Sequence, residues 1–284
     1  MSVLTDDRAR PRLALLALAC LAAFLALAAL VRVGATVGID TAGLDLLRRF
    51  HGTPLDPLFV AISELGVADI LQFFTMIPAG FLWIAGARRA ALYVVAGYLA
   101  AAVMTDVLKA LMPLARPPAG YGIPLKMPEI EDLLWIGFAI ILVVAFWRTR
   151  WRWGAVIGGV LFASALVFDP PTLSIPGLDS FPSGHALRSS VLVTSLLFAL
   201  PARLSRRTMI GLVVVVVLIG VSRVYLGEHH PTDVVAGWLA GFALIATLTL
   251  VPFFRSREEA AEYDGAERPA GGPSPTWPTS SSSS

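Results

Sequence analysis

Eight stretches of this chain are apolar over lengths that match the hydrocarbon core of a bilayer: residues 13–32, 68–87, 90–111, 133–148, 153–169, 185–203, 208–226 and 232–254. A spanning helix needs roughly 17 to 25 such residues, and in lipid its backbone groups must be satisfied internally. The expected fold is therefore all-α, a polytopic transmembrane helical bundle of about eight spans. The fourth and fifth stretches are the shortest, and an interfacial hairpin is the alternative for that pair. Only 15% of the residues are charged, against roughly 25% in ordinary soluble domains.

The arginines orient the bundle. Arg8, Arg10 and Arg12 precede the first span, Arg88 and Arg89 separate the second and third, and Arg148, Arg150 and Arg152 separate the fourth and fifth. Arg203, Arg206 and Arg207 separate the sixth and seventh, and Arg255 and Arg257 follow the eighth. With eight spans all five clusters fall on one side, which the positive-inside rule makes cytoplasmic. Three parts are expected: a cytoplasmic tail over 1–12, the transmembrane domain over 13–254, and a disordered cytoplasmic tail over 255–284, which turns acidic and then rich in Pro, Gly and Ser. The first span follows a basic segment but is too long for a signal h-region and lacks a clear cleavage site, so it reads as an uncleaved helix. The expected location is a bacterial plasma membrane.

Loops carry the remaining signals. Residues 33–66 form an external loop whose Leu44, Leu47, Phe50, Leu55, Leu58 and Phe59 suit one or two interfacial helices, with Arg48, Arg49 and His51 anchored at headgroup level. Tyr121 and Lys126 lie in a second external loop over 118–132, and a third over 170–182 is stiffened by prolines. Cys20 is the single cysteine, so neither an intramolecular disulfide nor a Cys-rich metal site is available. No internal repeat is evident, which weighs against an inverted-repeat transporter.

Three polar segments stand out against this background: Lys109 to Pro117, Phe181 to His185 and Ser222 to Asp233. They hold three of the four histidines and one of the two lysines. Lys109 and Arg116 are seven residues apart, two helical turns, so both are expected on one face at the outer end of the third span, with Pro117 and Pro118 ending the helix. A lysine point charge and an arginine fork together suit phosphate oxygens, although either can also be a snorkelling cation. Ser183, Gly184 and His185 open the sixth span, where free N–H groups and the positive end of the helix dipole make an anion site. Gly184 allows close approach to the backbone, and His185 is placed to pass a proton to a leaving oxygen. His229 precedes the eighth span, with Pro231 in its first turn. Asp233, four residues on, is close enough to hold the imidazole in one tautomer, and Arg223 adds a third cation. A His/Asp pair at this spacing also fits a metal, but no carboxylate or cysteine set is evident to complete the shell. In the eight-span topology all three segments lie on the extracytoplasmic side.

At these residues the sequence resembles the type 2 phosphatidic acid phosphatase (PAP2) superfamily. The pattern K-x6-RP, PSGH and SR-x5-H-x3-D is matched by Lys109 with Arg116-Pro117, by Pro182 to His185, and by Ser222-Arg223 with His229 and Asp233. The resemblance covers roughly residues 90–250. It implies a six-helix core, here with an extra hairpin over 133–168, and hydrolysis of a phosphate monoester or diphosphate on a membrane lipid through a phosphohistidine, without metal or other cofactor. It also implies roles: His229 as nucleophile, Asp233 as its orienter, His185 as general acid, and Lys109, Arg116, Ser183, Gly184 and Arg223 as phosphate-binding residues. His230 and Arg188 lie outside the pattern. His230 is either a pocket residue or a spectator, and Arg188 is expected to face the pocket or to pair with Asp106 or Glu228. The substrate class is polyprenyl diphosphate, phosphatidate-like or phosphatidylglycerophosphate-like lipid. The expected partners are that phosphorylated lipid and the surrounding membrane lipids, not nucleic acid, and the oligomeric state is left open. A lipid phosphotransferase using the same site is the alternative; a vanadate-binding haloperoxidase or a non-enzymatic phospholipid transporter is a more distant one. Gly237 and Gly241 form a GxxxG step that reads as close packing within the bundle rather than a dimer seam.

Overall fold

Long apolar helices dominate the computed structural model, which describes residues 10–123, 177–200 and 204–254 and the single positions 140, 144, 147 and 156. Eight α-helices are described: α1 (Arg10–Arg32), α2 (Val37–Arg48), α3 (Leu55–Glu64), α4 (Ala68–Ile84), α5 (Arg88–Leu111), α6 (Gly184–Ala199), α7 (Arg206–Tyr225) and α8 (Pro231–Thr249). The all-α expectation holds, and the helices have the character of an integral membrane protein. In α1 a single stripe of Leu13, Ala17, Cys20, Phe24 and Ala28 is buried, whereas Leu15, Leu18 and Leu25 on the other faces stay more than half exposed. A helix apolar on every side but packed on only one is shaped for lipid on the rest.

Among the described residues, four or five candidate spans are found. Helices α1, α5, α7 and α8 are each long and apolar enough to cross a membrane, and α3 with α4 makes a fifth candidate, bent by 54° at the break between them. Helix α6 has 16 residues. Helix α1 starts at Arg10, three residues before the expected span, with Pro11 in its first turn. Apart from the single positions 140, 144, 147 and 156, the expected hairpin over 133–168 lies outside the described residues, as does the tail from 255.

Helix α8 is the axis. It packs against α1 on one side and α6 on another, while α5 bridges α6 and α4. At the seam between α6 and α8 two glycines of α8 meet backbone and small side chains of α6. A Cβ on Gly237 would come 2.6 Å from the Ser183 carbonyl oxygen, and one on Gly241 would come 2.2 Å from Ser190 Oγ. The GxxxG step is thus filled by α6 of the same chain. Across the bundle, Tyr93 Oη on α5 and Thr249 Oγ1 on α8 lie 2.6 Å apart, and Tyr98 Oη donates to the Ala68 carbonyl at the start of α4.

Helices α2 and α3 occur in the loop expected to carry interfacial helices, and they dock on the bundle end. Asp40 of α2 accepts from the Thr232 backbone N–H (3.0 Å) and hydroxyl (2.9 Å), capping the start of α8. His51 and Arg48 also make contacts within the protein. His51 Nε2 donates to the Tyr225 carbonyl at 2.8 Å, and the Arg48 guanidinium lies over the Tyr121 ring, whose hydroxyl donates to Asp45. These contacts close α2 and the 119–121 turn over the ends of α7 and α8. Lys126 lies outside the described residues.

Because the α6–α8 seam has no room for a side chain, Gly237→Leu should cost about 1–3 kcal/mol through overpacking. It should also push Ser183 away from α8. The expected result is a clear drop in the melting temperature of detergent-solubilised protein, whereas Gly80→Leu, where a Cβ meets open space, should leave it within a degree or two.

Candidate active site

The C-termini of α5 and α7 and the N-termini of α6 and α8 meet at one end of the bundle, and all eight sequence-predicted site residues lie there. The Ser183 backbone N–H donates to the Asp233 carbonyl at 2.9 Å, joining the first turns of α6 and α8. Ser183 is fully buried, and its hydroxyl has no hydrogen-bond partner. Gly184 places its Cα where a Cβ would lie 3.1 Å from Thr105 of α5. His185 is half-buried, its Nε2 is buried without a partner, and the charges of Arg223, Arg188 and Lys109 and the imidazole of His229 all act on it. Its ring rests on the break between α3 and α4, where a Cβ on Gly66 would approach His185 Cδ2 to 2.7 Å.

The turn after α7 presents His229. Gly227 adopts φ +68°, and a Cβ there would come 2.3 Å from the Tyr121 carbonyl oxygen. Only glycine meets both conditions. The backbone N–H groups of Glu228 and His229 fold back to the Arg223 carbonyl at 3.0 and 3.2 Å. His229 is 2% exposed. Burial is the main reason its pKa falls below the ordinary histidine value; its contact with Asp233 opposes the shift and Arg223 adds to it. The ring is therefore neutral near pH 7, the form in which a nitrogen lone pair is available.

Asp233 is more heavily used than the sequence suggests. Its Oδ2 lies 3.5 Å from His229 Nδ1, in ion-pair range but without hydrogen-bond geometry. The same oxygen accepts from Ser180 Oγ at 2.5 Å and from the His230 backbone N–H at 2.8 Å, and it lies 3.3 Å from His230 Nδ1. His230 is the N-cap of α8 and forms a capping box with Asp233. Burial disfavours its charged form, but the bond to Asp233 and the charges of Asp233 and Asp40 outweigh that, and its pKa rises. His230 and Asp233 also line a cavity of about 270 Å³ with Asp40, Thr36, Leu44 and Tyr121, which is lined by none of Lys109, Arg116, His185, Arg223 and His229.

Lys109 and Arg116 do not share a helix face as expected. Helix α5 ends at Leu111, because Met112 precedes Pro113 and is driven out of helical geometry (φ −127°, ψ 73°). Both cations nonetheless converge on Asp179, which the sequence reading missed. Arg116 Nε and Nη2 donate to the two Asp179 oxygens at 2.9 and 2.8 Å, and Lys109 Nζ lies 3.5 Å away. These Arg116 bonds hold the Asp179 carboxyl well below its usual range and raise the Arg116 pKa. Arg116 Nη1 pairs with Glu228, which also lies 3.6 Å from Arg223 Nη2. Arg223 Nη1 donates to Ser63 Oγ on α3 at 2.6 Å. Of the two partners expected for Arg188, Asp106 is the one found, at 3.8 Å. Among the described residues no three His, Cys, Asp or Glu side chains are grouped to hold a metal ion.

Residues 90–257, more than half of the chain, match the model of the PAP2 superfamily. The chain belongs to that superfamily. A transmembrane PAP2 type phosphatidylglycerolphosphate phosphatase from Bacillus subtilis has a similar fold, with TM-score 0.56 and 20% identity over 89% of this chain and 97% of that one. Undecaprenyl-diphosphatase of Sulfolobus acidocaldarius is 45% identical over 62 residues, 22% of this chain and 28% of the relative. Phosphatidylglycerophosphatase B of Bacillus subtilis is 39% identical over 71 residues, 23% and 35% of the two chains. Lipid A 1-phosphatase of Rhizobium johnstonii is 36% identical over 77 residues, 27% and 29%. This PAP2 chain thus aligns with about a third or less of the length of these relatives.

A depressed carboxyl pKa stabilises the fold above the ordinary carboxylate range and ceases to do so as pH falls through its folded value. Asp179→Asn should therefore lower the melting temperature at pH 7. The difference from wild type should narrow steadily below about pH 4. A gap independent of pH would show that Asp179 acts by packing alone.

Proposed function

We propose that this PAP2 protein hydrolyses a phosphate monoester or diphosphate on a membrane lipid through a phosphohistidine intermediate. The observation that carries the reading is the meeting of a buried, neutral His229 with Asp233 behind it, His185 Nε2 and Ser183 Oγ unpartnered, and three cations around them. Unpartnered buried donors are costly unless a ligand takes them up.

His229 Nε2 attacks phosphorus, and the phosphorus–oxygen bond to the lipid breaks as His185 passes a proton to the leaving oxygen. Water then attacks the phosphohistidine, giving its proton to His185 and releasing inorganic phosphate and free His229. Lys109, Arg116, Arg223, the Ser183 hydroxyl and the N–H groups opening α6 stabilise the charge spread over the phosphoryl oxygens. Asp233 fixes the His229 tautomer. The substrate class is polyprenyl diphosphate, phosphatidate-like or phosphatidylglycerophosphate-like lipid, in keeping with the names of the relatives.

The site faces the extracytoplasmic side of a bacterial plasma membrane in this reading, with both termini cytoplasmic. Two placements support it. Helices α5 and α7 begin at arginine clusters, Arg88–Arg89 and Arg206–Arg207, and end at the site.

Purified wild type and His229→Ala, given a panel of lipid phosphates with EDTA present, provide the test. Turnover of at least one lipid should survive EDTA, and the variant should lose it by roughly a thousandfold or more. Unchanged turnover in the variant would remove His229 as nucleophile, and loss in EDTA would remove metal independence. Added alcohols yielding new phosphoesters would turn the assignment to a phosphotransferase. The acid limb of kcat/KM should lie below about pH 6.5, the ordinary histidine value, because burial lowers the His229 pKa. For sidedness, a cysteine at exposed Ala119 should react with an impermeant thiol reagent on intact cells; protection would reverse the orientation.

A further inference from the structure

Two carboxylates share the three cations of the site, and they are not equivalent. Asp179 takes Nε and Nη2 of Arg116 and the Lys109 ammonium, and its side chain is 17% exposed. Glu228 takes what remains. Its Oε2 receives Arg116 Nη1 and lies 3.6 Å from Arg223 Nη2, while its side chain is 43% exposed. Arg223 Nη1 is committed to Ser63. Arg116 Nη1 and Arg223 Nη2, the terminal nitrogens not committed elsewhere, therefore converge on a single anionic oxygen beside His229, much as they would on one phosphoryl oxygen.

Resting on the phosphate-site reading above, we propose that Glu228 is a built-in competitor for phosphate, a residue that sets how tightly the site holds the inorganic phosphate product. An incoming phosphate must displace this carboxylate from both arginines or bind against its charge. Either route weakens ground-state binding of phosphate. Glu228 can yield because it is half-exposed and follows Gly227, whereas Asp179 is held by two fork bonds. The opposite role is also defined: if Glu228 merely orients the two arginines, removing it loosens them and weakens phosphate binding. The two roles differ in sign.

The experiment uses the full chain in detergent micelles as wild type, Glu228→Gln and Glu228→Ala. Inhibition of lipid phosphate hydrolysis by inorganic phosphate is measured beside direct phosphate binding by calorimetry, with thermal melts to confirm folding. Both variants should bind phosphate roughly three- to tenfold more tightly and show correspondingly stronger product inhibition, an effect that shrinks at high salt. Unchanged or weaker binding in folded variants overturns the competitor role. Failure of folded wild type to bind phosphate at all would remove the phosphate site itself and the inference with it.

Discussion

One carboxylate oxygen organises this end of the bundle. Asp233 Oδ2 accepts the Ser180 hydroxyl and the His230 backbone N–H, and both His229 and His230 rings lie within 3.5 Å of it. It is the N3 residue of α8, so the helix start, the approach strand to α6 and the proposed nucleophile are all referred to one atom. The Ser183 N–H on the Asp233 carbonyl adds the α6 start to the same residue. A shift in the first turn of α8 therefore moves the N-terminal end of α6 and the buried histidine together.

Around that atom the charges are arranged in layers. Lys109, Arg116, Arg188 and Arg223 each meet a carboxylate: Asp179, Glu228 or Asp106. Cations this close together would repel one another and resist burial without such partners. The carboxylates make the cluster compatible with folding. Ser183 Oγ and His185 Nε2 have no partner inside the protein, and a bound ligand would relieve the cost of leaving them unpaired.

Local chemistry was readable in the sequence; cross-bundle partners were not. The long apolar stretches marked α1, α5, α7 and α8, and motif spacing picked out all eight residues that gather at the site. Helix continuity was overextended past Lys109, since Pro113 ends α5 before Arg116 is reached. Asp179 and Ser180 sit directly before the PSGH segment, yet nothing in their own neighbourhood reveals that they answer to Arg116, 63 residues away, and Asp233, 53 residues away. Ser63 and Gly66 are further still from their partners Arg223 and His185. Their loop reads as a membrane-surface element, and its amphipathic pattern says which face is apolar but not which helix ends it covers.

The break between α3 and α4 gives that loop a second meaning. Gly66 rests on the His185 ring, and Ser63, three residues earlier, holds Arg223. The proposed proton donor and one of the arginines proposed to bind phosphate are thus held by about one turn of backbone outside residues 90–257. Side chains larger than hydrogen at position 66 would misplace a histidine 119 positions down the chain while leaving every motif residue intact. The spacing of the proposed catalytic groups then depends partly on a segment outside residues 90–257, where the motifs lie.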